Sequence, residues 1–281
     1  MLIFNTKAGI QAYLSTNFPN DASVGFVPTM GALHNGHLSL LQNSLQENDV
    51  TVISIFVNPT QFNNPDDLEK YPRTLDMDVE KIKTVSNKIL VFAPEVHEMY
   101  EGHTVSGNFS FGGLENRMEG SSRPGHFNGV GTIVKKLFEI IKPANAYFGE
   151  KDFQQLQIVK KMVQQDKMPV VVKGCPIYRE ANGLAMSSRN QRLTANEKNK
   201  SGLIFKTLKE VKDKFGRQNP DDIKNYVQGV FAQHPEFTLE YFEIADEDSL
   251  LPLHVEENKK YRAFIAVFIG NIRLIDNISL N

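Results

Sequence analysis

Between residues 24 and 175, short runs of β-branched and other apolar residues alternate with segments of helical periodicity. The runs that predict buried strands lie at residues 24–28, 50–57, 89–93, 146–148 and 170–172. The segments that predict helices lie at residues 38–45, 74–84, 127–142 and 153–165. Because neighbouring parallel strands need a long crossover, usually a helix, this order predicts an α/β fold with a doubly wound parallel sheet. Ligands of such sheets bind at the carboxyl ends of the strands.

After residue 175 the pattern changes, and helices follow one another without an intervening strand. A long helix is predicted over residues 195–215, opened by a capping box of Thr194 and Glu197 and closed at Gly216. A second helix is predicted over residues 221–233. The βαβ rhythm therefore does not continue into this part of the chain.

Strands dominate the last forty residues. They are predicted at residues 239–245, 262–269 and 272–275. Gly270-Asn271 lies between the last two and suits a hairpin turn. We therefore predict two domains, a sheet domain over residues 1–175 and a smaller α+β domain over residues 176–281.

Composition narrows the class of protein. Lys and Arg total 31 and Asp and Glu total 33, so the net charge of -2 gives no general attraction to nucleic acid or membranes. A single cysteine, Cys175, excludes a disulfide framework and favours a reducing compartment. The longest apolar run, residues 263–269, is too short to span a bilayer, and the first residues do not resemble a secretory signal. We expect a cytoplasmic protein.

The first predicted strand leads into a glycine-containing turn with two histidines. Gly31 and Gly36 have the spacing of a P-loop, but His37-Leu38 stands where that motif needs Lys followed by Ser or Thr. What remains is a turn that brings His34 and His37 to the start of a helix, where N–H groups and the helix dipole attract anions. Zinc is the weaker alternative, because the pair lacks a nearby third ligand. A phosphate-contacting pair is favoured.

Residues 28–37, Pro-Thr-Met-Gly-Ala-Leu-His-Asn-Gly-His, closely resemble the signature of the pantothenate synthetases, the pantoate–β-alanine ligases of the His-x-Gly-His nucleotidyltransferase superfamily. Four more blocks agree with that family in the same order: Phe-Val-Asn-Pro-Thr-Gln-Phe at 56–62, Tyr-Pro-Arg-Thr at 71–74, Arg-Pro-Gly-His-Phe at 123–127 with Gly-Glu-Lys-Asp-Phe-Gln-Gln at 149–155, and Gly-Leu-Ala-Met-Ser-Ser-Arg-Asn at 183–190. The C-terminal third resembles the family only in length and layout.

The resemblance implies a Rossmann-like nucleotidyltransferase domain and ATP-dependent amide synthesis in two halves. Pantoate attacks the α-phosphate of ATP to give pantoyl adenylate and diphosphate, and β-alanine then displaces AMP to give pantothenate. Mg²⁺ is expected on the triphosphate, with Asp78 or Asp152 as alternative assisting carboxylates. The family also implies a homodimer through the larger domain, and a smaller domain that closes over the active site.

The family pattern also implies roles for individual residues. Three segments are expected to bind ATP: Met30, Gly31, Ala32, Leu33, His34, Asn35, Gly36 and His37; Gly149, Glu150, Lys151 and Asp152; and Tyr178 with Met186, Ser187, Ser188 and Arg189. Catalytic roles are expected for His37 as proton donor and for His34, Lys151, Ser188 and Arg189. Gln61 and Gln155 are expected to bind pantoate, with Gln61 also near β-alanine.

Two other functions are compatible with the same residues. One is an adenylyltransferase of the same superfamily, whose product keeps AMP. The other is a nucleotide-responsive binding module without turnover. Release of free AMP separates the ligase from both.

Overall fold

The structure is a computed structural model that describes residues 1–63, 65–253 and 259–281. It divides into two compact units, Met1–Pro176 and Ile177–Asn281. The strands and helices of the first unit are β1 (Ile3–Phe4), α1 (Lys7–Asn17), β2 (Val24–Thr29), α2 (Asn35–Glu47), β3 (Val50–Ile55), α3 (Pro65–Glu69), α4 (Leu75–Val85), β4 (Leu90–Phe92), α5 (Val96–Tyr100), α6 (Met118–Ser122), α7 (His126–Ile141), β5 (Asn145–Gly149), α8 (Phe153–Gln165) and β6 (Val171–Cys175). Those of the second unit are α9 (Ala195–Lys200), α10 (Gly202–Lys214), α11 (Pro220–Ala232), β7 (Phe237–Asp246), β8 (Tyr261–Ile269) and β9 (Ile272–Ser279). Over the described ranges, none of the helices has the length and apolar character needed to cross a membrane.

The first unit is built on one six-stranded sheet in which every paired strand is parallel to its neighbour. Its strand order is β1-β4-β3-β2-β5-β6. From β2 the chain moves outward through β3 and β4, and then returns to the other side of β2 with β5 and β6. The predicted doubly wound sheet is therefore confirmed. The direction of the crossovers reverses between β2 and β5, the position where such sheets bind ligands.

Helices cover both faces of this sheet because the side chains of a strand alternate between its faces. Val27 of β2 packs in one apolar cluster with Leu41 of α2 and Ile53 of β3. The adjacent Phe26 faces the other way, and its ring meets Phe138 of α7 edge to face at 6.2 Å between centroids. Strand β2 is buried on both sides, which explains its continuous apolar sequence.

The second unit contains a three-stranded antiparallel sheet in the order β7-β8-β9. Gly270 and Asn271 connect β8 to β9, and Gly270 has a φ of +54, in the left-handed region that tight hairpin turns need. Val267 of β8 shares an apolar core with Leu208 of α10 and Val227 of α11. The predicted α+β architecture of this part is confirmed.

The single helix predicted over residues 195–215 is wrong, since the structure has two helices that meet at Ser201. The capping box at Thr194 does form. The side-chain amide of Asn182 then donates to the carbonyl of Lys198 at 2.7 Å, taking an acceptor that a continuing helix would use. Gly202 also lies against the Asn182 carbonyl, where a Cβ would come within 2.7 Å. A contact from sixteen residues upstream therefore interrupts the helix.

Candidate active site

Two motif segments leave the sheet at the same edge. Strand β2 ends at Thr29 and continues into the histidine turn, whereas β5 ends at Gly149 and continues into the turn that carries Lys151. The two strands are paired neighbours, with Gly25 opposite Asn145. Because both strands are parallel, both turns emerge at the reversal point of the strand order. This edge is the candidate active site of the first unit.

The histidine turn is a tight bend that ends in a helix start. Gly31 and Ala32 have φ angles of +82 and +50, a left-handed bend that costs about 1–2 kcal/mol at the alanine. His34 is the N-cap of α2, and its backbone N–H donates to Nδ1 of His37 at 3.2 Å. The two imidazole rings lie 4.0 Å apart between centroids. Since Nδ1 of His37 accepts a hydrogen bond, its ring proton resides on Nε2, which is left to donate.

Side chains of helix α4 form hydrogen bonds with the main chain of this turn. Asp78 is fully buried, and its two carboxylate oxygens accept hydrogen bonds from the backbone N–H groups of Ala32 at 2.9 Å and Leu33 at 2.7 Å. Thr74 donates its hydroxyl to the same carboxylate at 3.1 Å. Lys81, one helical turn further on, donates to the Leu33 carbonyl at 2.6 Å. The strained turn is thus held through its main chain.

The environment of His37 keeps its imidazole neutral. Burial lowers the pKa of His37 well below its ordinary value, and the electrostatic effects of His34, of Lys151 and of Lys81 lower it further. A neutral ring with its proton on Nε2 is a hydrogen-bond donor. An anion that enters among these groups reverses their effect and raises the pKa of His37, because it stabilises the imidazolium form.

The second turn brings a lysine to the same edge. Glu150, Lys151 and Asp152 form a short 3-10 helix between β5 and α8. The Lys151 side chain is only 16% exposed, and its Nζ lies 3.6 Å from Asp152 Oδ1. Its charge reaches His37, as the lowered pKa of that histidine indicates. Lys151 and His37 therefore lie at the same end of the sheet, each on the turn after one of two neighbouring strands.

Neither carboxylate considered for Mg²⁺ is a preformed ligand. Both oxygens of Asp78 are engaged by backbone N–H groups inside the protein. Asp152 is half exposed and lies beside the Lys151 ammonium group. Within the described ranges, three or more His, Cys, Asp or Glu side chains are nowhere grouped so that they could hold a metal ion.

Gln61 lies at the end of a short 3-10 helix just beyond β3, and its amide has a fixed orientation. Its Oε1 accepts from Asn58 Nδ2 at 3.1 Å, and its Nε2 contacts the sulfur of Met30 at 2.9 Å. Asn58 is itself fixed, because it donates to the Gly129 carbonyl at 3.1 Å and accepts from the Tyr100 hydroxyl at 2.5 Å. The contact with Met30 links Gln61 to the start of the histidine turn.

The buried His126 forms a hydrogen bond with the main chain of Gln61. Arg123 can only donate, so its 3.1 Å contact with Nε2 of His126 places the ring proton of His126 on Nδ1. That Nδ1 donates to the Gln61 carbonyl at 2.9 Å. Burial and the neighbouring Arg123 charge lower the pKa of His126 to about 4. His126 is therefore a neutral, fixed donor.

The two adjacent glutamines of α8 have different environments. Gln154 is buried and structural, since its amide donates to the carbonyls of Leu114 and Arg117 at 2.8 Å each and accepts from the Glu119 N–H at 3.0 Å. Gln155 is partly exposed. One residue further along a helix points about 100° around its axis. Gln155 is thus the member of the pair that remains accessible to a ligand.

The second unit carries the last predicted segment, which forms a small turn of its own. The Tyr178 carbonyl accepts from the Met186 N–H at 2.9 Å. Ser187 caps the following 3-10 helix, with its hydroxyl accepting from the Arg189 N–H at 3.3 Å. Ser188 and Arg189 are partly exposed on this short helix. The fold of this unit thus presents two hydroxyls and a guanidinium along one tight loop.

Comparison with known proteins identifies the family. The family model described as pantoate–β-alanine ligase matches residues 2–279. The chain belongs to the pantoate–β-alanine ligase family. The pantothenate synthetases of Flavobacterium psychrophilum and Christiangramia forsetii are 59% and 52% identical to it over 281 and 282 residues, with all of both chains covered. The predicted family and ligase class are confirmed.

Solved structures of this ligase family share the fold. Pantothenate synthetase from Thermus thermophilus matches with a TM-score of 0.90 at 38% identity, over 100% of this chain and 99% of that one. Pantoate–β-alanine ligase from Francisella tularensis, complexed with beta-gamma ATP and β-alanine, matches with a TM-score of 0.82 at 35% identity, over 100% of this chain and 98% of that one.

Several residues that shape the site of this ligase were given no role by sequence reasoning. They are Asn58, Lys81, Arg123, His126 and Gln154. Four of them lie inside the family motifs: Asn58, Arg123, His126 and Gln154. Their place in a motif without an assigned role was the sequence signal that could have identified them. Lys81 lies outside every motif. The roles predicted for the site residues remain predictions.

Proposed function

We propose that the chain joins pantoate and β-alanine to form pantothenate by way of pantoyl adenylate, with ATP as the substrate that yields AMP and diphosphate. The observation that carries the proposal is the convergence of the His37 turn and Lys151 at the point where the strand order reverses. Adenylation needs donors and positive charge around phosphates whose charge grows in the transition state. The complex of the Francisella relative with beta-gamma ATP and β-alanine supports the same substrates.

In this proposal the first unit binds the phosphates and pantoate. The main chain from Met30 to His37 lines the ATP site, with Nε2–H of His37 as the proton donor and His34 beside it. Lys151 contacts the phosphates, and the rest of its turn, Gly149, Glu150 and Asp152, borders the nucleotide. Gln61 and Gln155 bind pantoate, because neutral amides orient hydroxyls and a carboxylate without holding the nucleophile in an ion pair.

Residues 176–281 are proposed to complete the ATP site by closing over it. Tyr178 would contact the adenine through its backbone, and Met186 and Ser187 would border the nucleotide. Ser188 and Arg189 would contact the phosphates, for which a guanidinium is well suited. Closure would keep water from the reactive mixed anhydride.

We also propose that Mg²⁺ accompanies the triphosphate, whose charge it would neutralise. The engagement of both Asp78 oxygens by the main chain favours a metal carried on the phosphates over one held by that carboxylate. A homodimer through the larger domain and a cytoplasmic location complete the proposal. Light scattering coupled to gel filtration tests the dimer. The lone, buried Cys175 is compatible with a reducing compartment.

The deciding experiment follows AMP and diphosphate with pantoate and β-alanine supplied singly and together. We expect free AMP and pantothenate only when both are present, and exchange of labelled diphosphate into ATP with pantoate alone. Exchange that requires β-alanine would replace the two-step scheme with a concerted one. A product that retains AMP would identify an adenylyltransferase, and nucleotide binding without turnover would identify a binding module. Ser188→Ala and Arg189→Ala should slow the exchange.

A further inference from the structure

Lys81 reaches the histidine turn from a helix that the sequence motifs do not include. Its Nζ donates to the carbonyl of Leu33, the residue directly before the N-cap His34, at 2.6 Å. Asp78, three residues earlier on the same face of α4, accepts from the N–H of Leu33 at 2.7 Å. Helix α4 therefore engages both main-chain polar groups of Leu33 and fixes the peptide that leads into α2.

We propose that Lys81 is a positioning residue for His37, whose ammonium group fixes the Leu33 carbonyl and whose charge keeps His37 a neutral Nε2–H donor until a phosphate anion enters. This inference rests on the proposed function in one respect only, namely that the anion is the triphosphate of ATP. It adds a residue of α4 to the two turns at the sheet edge.

The charge of Lys81 is available to act on His37. Its hydrogen-bond acceptor is a neutral carbonyl, so this contact does not neutralise the ammonium group. The groups that lower the pKa of His37, after burial, are His34, Lys151 and Lys81. Of the carboxylates on α4, Asp78 is bonded to the backbone N–H groups of the turn, and Glu80 pairs with Lys83. His37 is therefore influenced by two ammonium groups, one from α4 and one from the turn after β5.

The protonation state of His37 matters for geometry as well as for charge. Nδ1 accepts the N–H of His34 only while it carries no proton. Protonation of Nδ1 would break this hydrogen bond and change the first turn of α2, where the anion is to bind. Positive charge from Lys81 opposes that protonation in the unliganded protein. When a phosphate anion enters, the neutral ring presents its Nε2–H to it as a hydrogen-bond donor.

Lys83 on the same helix provides a matched control. Its side chain is 41% exposed and its Nζ pairs with Glu80 Oε1 at 2.6 Å. Lys83→Met removes the same charge from the same helix but leaves the turn untouched. Lys81→Gln keeps a donor for the Leu33 carbonyl without the charge, whereas Lys81→Arg keeps both. Together these variants distinguish loss of the Lys81 charge, loss of the hydrogen bond to the Leu33 carbonyl and a general change in α4.

The first measurement is the titration of the His37 ring by NMR in the protein without substrates, with its signal identified by its loss in His37→Gln. Lys81→Met and Lys81→Gln should raise the titration midpoint by about one unit, a tenfold change in the protonation equilibrium. Lys81→Arg and Lys83→Met should leave it within a few tenths of a unit. Circular dichroism verifies that each variant is folded. An unchanged midpoint in Lys81→Met, or an equal shift in Lys83→Met, overturns the inference.

The second measurement is the pH profile of diphosphate exchange with pantoate alone. In Lys81→Met and Lys81→Gln the acid limb should move upward with the His37 midpoint, and the KM for ATP should rise about tenfold, with rescue by Lys81→Arg. An acid limb that stays in place while the rate falls would reduce Lys81 to a structural residue and contradict the inference. Absence of AMP formation by the unmodified protein would refute the proposed function, whereas the NMR titration would still decide the role of Lys81.

Discussion

The backbone N–H of His34 donates to Nδ1 of His37 across 3.2 Å, so that the hydrogen bond that caps α2 also fixes the proton of His37 on Nε2. His37→Ala removes that donor while leaving the strands and α4 intact. We expect adenylate formation to fall about 10²- to 10³-fold, or roughly 3–4 kcal/mol, as for loss of a transition-state donor. Single-turnover formation of pantoyl adenylate measures the effect.

The exposed His97 supplies the control for that experiment, since its side chain is 75% exposed on α5. His97→Ala should leave the rate unchanged. Normal adenylation by a folded His37→Ala protein would remove His37 from the mechanism.

The buried carboxylate of Asp78 is expected to matter for stability. Asp78→Ala leaves the N–H groups of Ala32 and Leu33 without their acceptor at a strained bend, which should lower the free energy of unfolding by about 3 kcal/mol. Asp76→Ala on the exposed side of the same helix should change it by less than about 0.5 kcal/mol. Urea titrations compare the two variants. Similar losses of unfolding free energy at both positions would show that the hydrogen bonds accepted by Asp78 do not stabilise the protein specifically.

Substitutions of the adjacent Gln154 and Gln155 of α8 should have different effects, the first on stability and the second on substrate binding. Gln155→Ala should raise the KM for pantoate and spare ATP, because its partly exposed amide is the one proposed to bind pantoate. Gln154→Ala should instead destabilise the protein by about 1–3 kcal/mol, because three main-chain groups lose their partner. Thermal unfolding and substrate titrations of both variants provide the measurement. A fall in ATP affinity alone in Gln155→Ala would contradict the assignment to pantoate.

Stability should depend on pH through His126. Its pKa is lowered from 6.5 to about 4 in the folded protein, so the unfolded chain binds more protons between those values. The free energy of unfolding should therefore fall as the pH drops from about 6.5 towards 4, by an amount on the order of 3 kcal/mol from this residue. His37, whose pKa is also lowered, contributes with the same sign.

His126→Asn should flatten this dependence by about one proton, measured as the slope of unfolding free energy against pH. A slope that His126→Asn does not alter would mean that His126 is as readily protonated in the folded protein as in the unfolded chain.

Much of the sheet unit was predictable because its central strands, β2 to β5, are buried on both faces and its helices have one apolar face. Residues 24–28 and 127–142, for example, were predicted within one residue of β2 and α7 at each end. The first strand and helix were not predicted, since β1 has two residues and Thr6 caps α1 within a polar stretch. A strand of two residues is too short to show the alternation by which strands are recognised.

The candidate site was predictable where a motif names the side chain that faces the ligand. Its support was not, because the partners are main-chain atoms far away in sequence. Asp78 reaches N–H groups 45 and 46 residues upstream, and His126 reaches a carbonyl 65 residues upstream. The break between α9 and α10 has the same origin in Asn182. No composition or spacing rule contains such contacts.

The pairing of β2 with β5 sets a limit on redesign of this enzyme. Where Gly25 and Phe26 pair with Asn145 and Ala146, the two strands are one sheet spacing apart, about 4.8 Å, and each strand feeds one of the turns at the sheet edge. Attempts to accept a bulkier acid therefore have little freedom to separate His37 from Lys151 without breaking the sheet. Gln155 is partly exposed on α8, so substitutions there leave both strands in place. Laboratory evolution towards new acids should accordingly accumulate changes there, while the residues of β2 and β5 stay fixed.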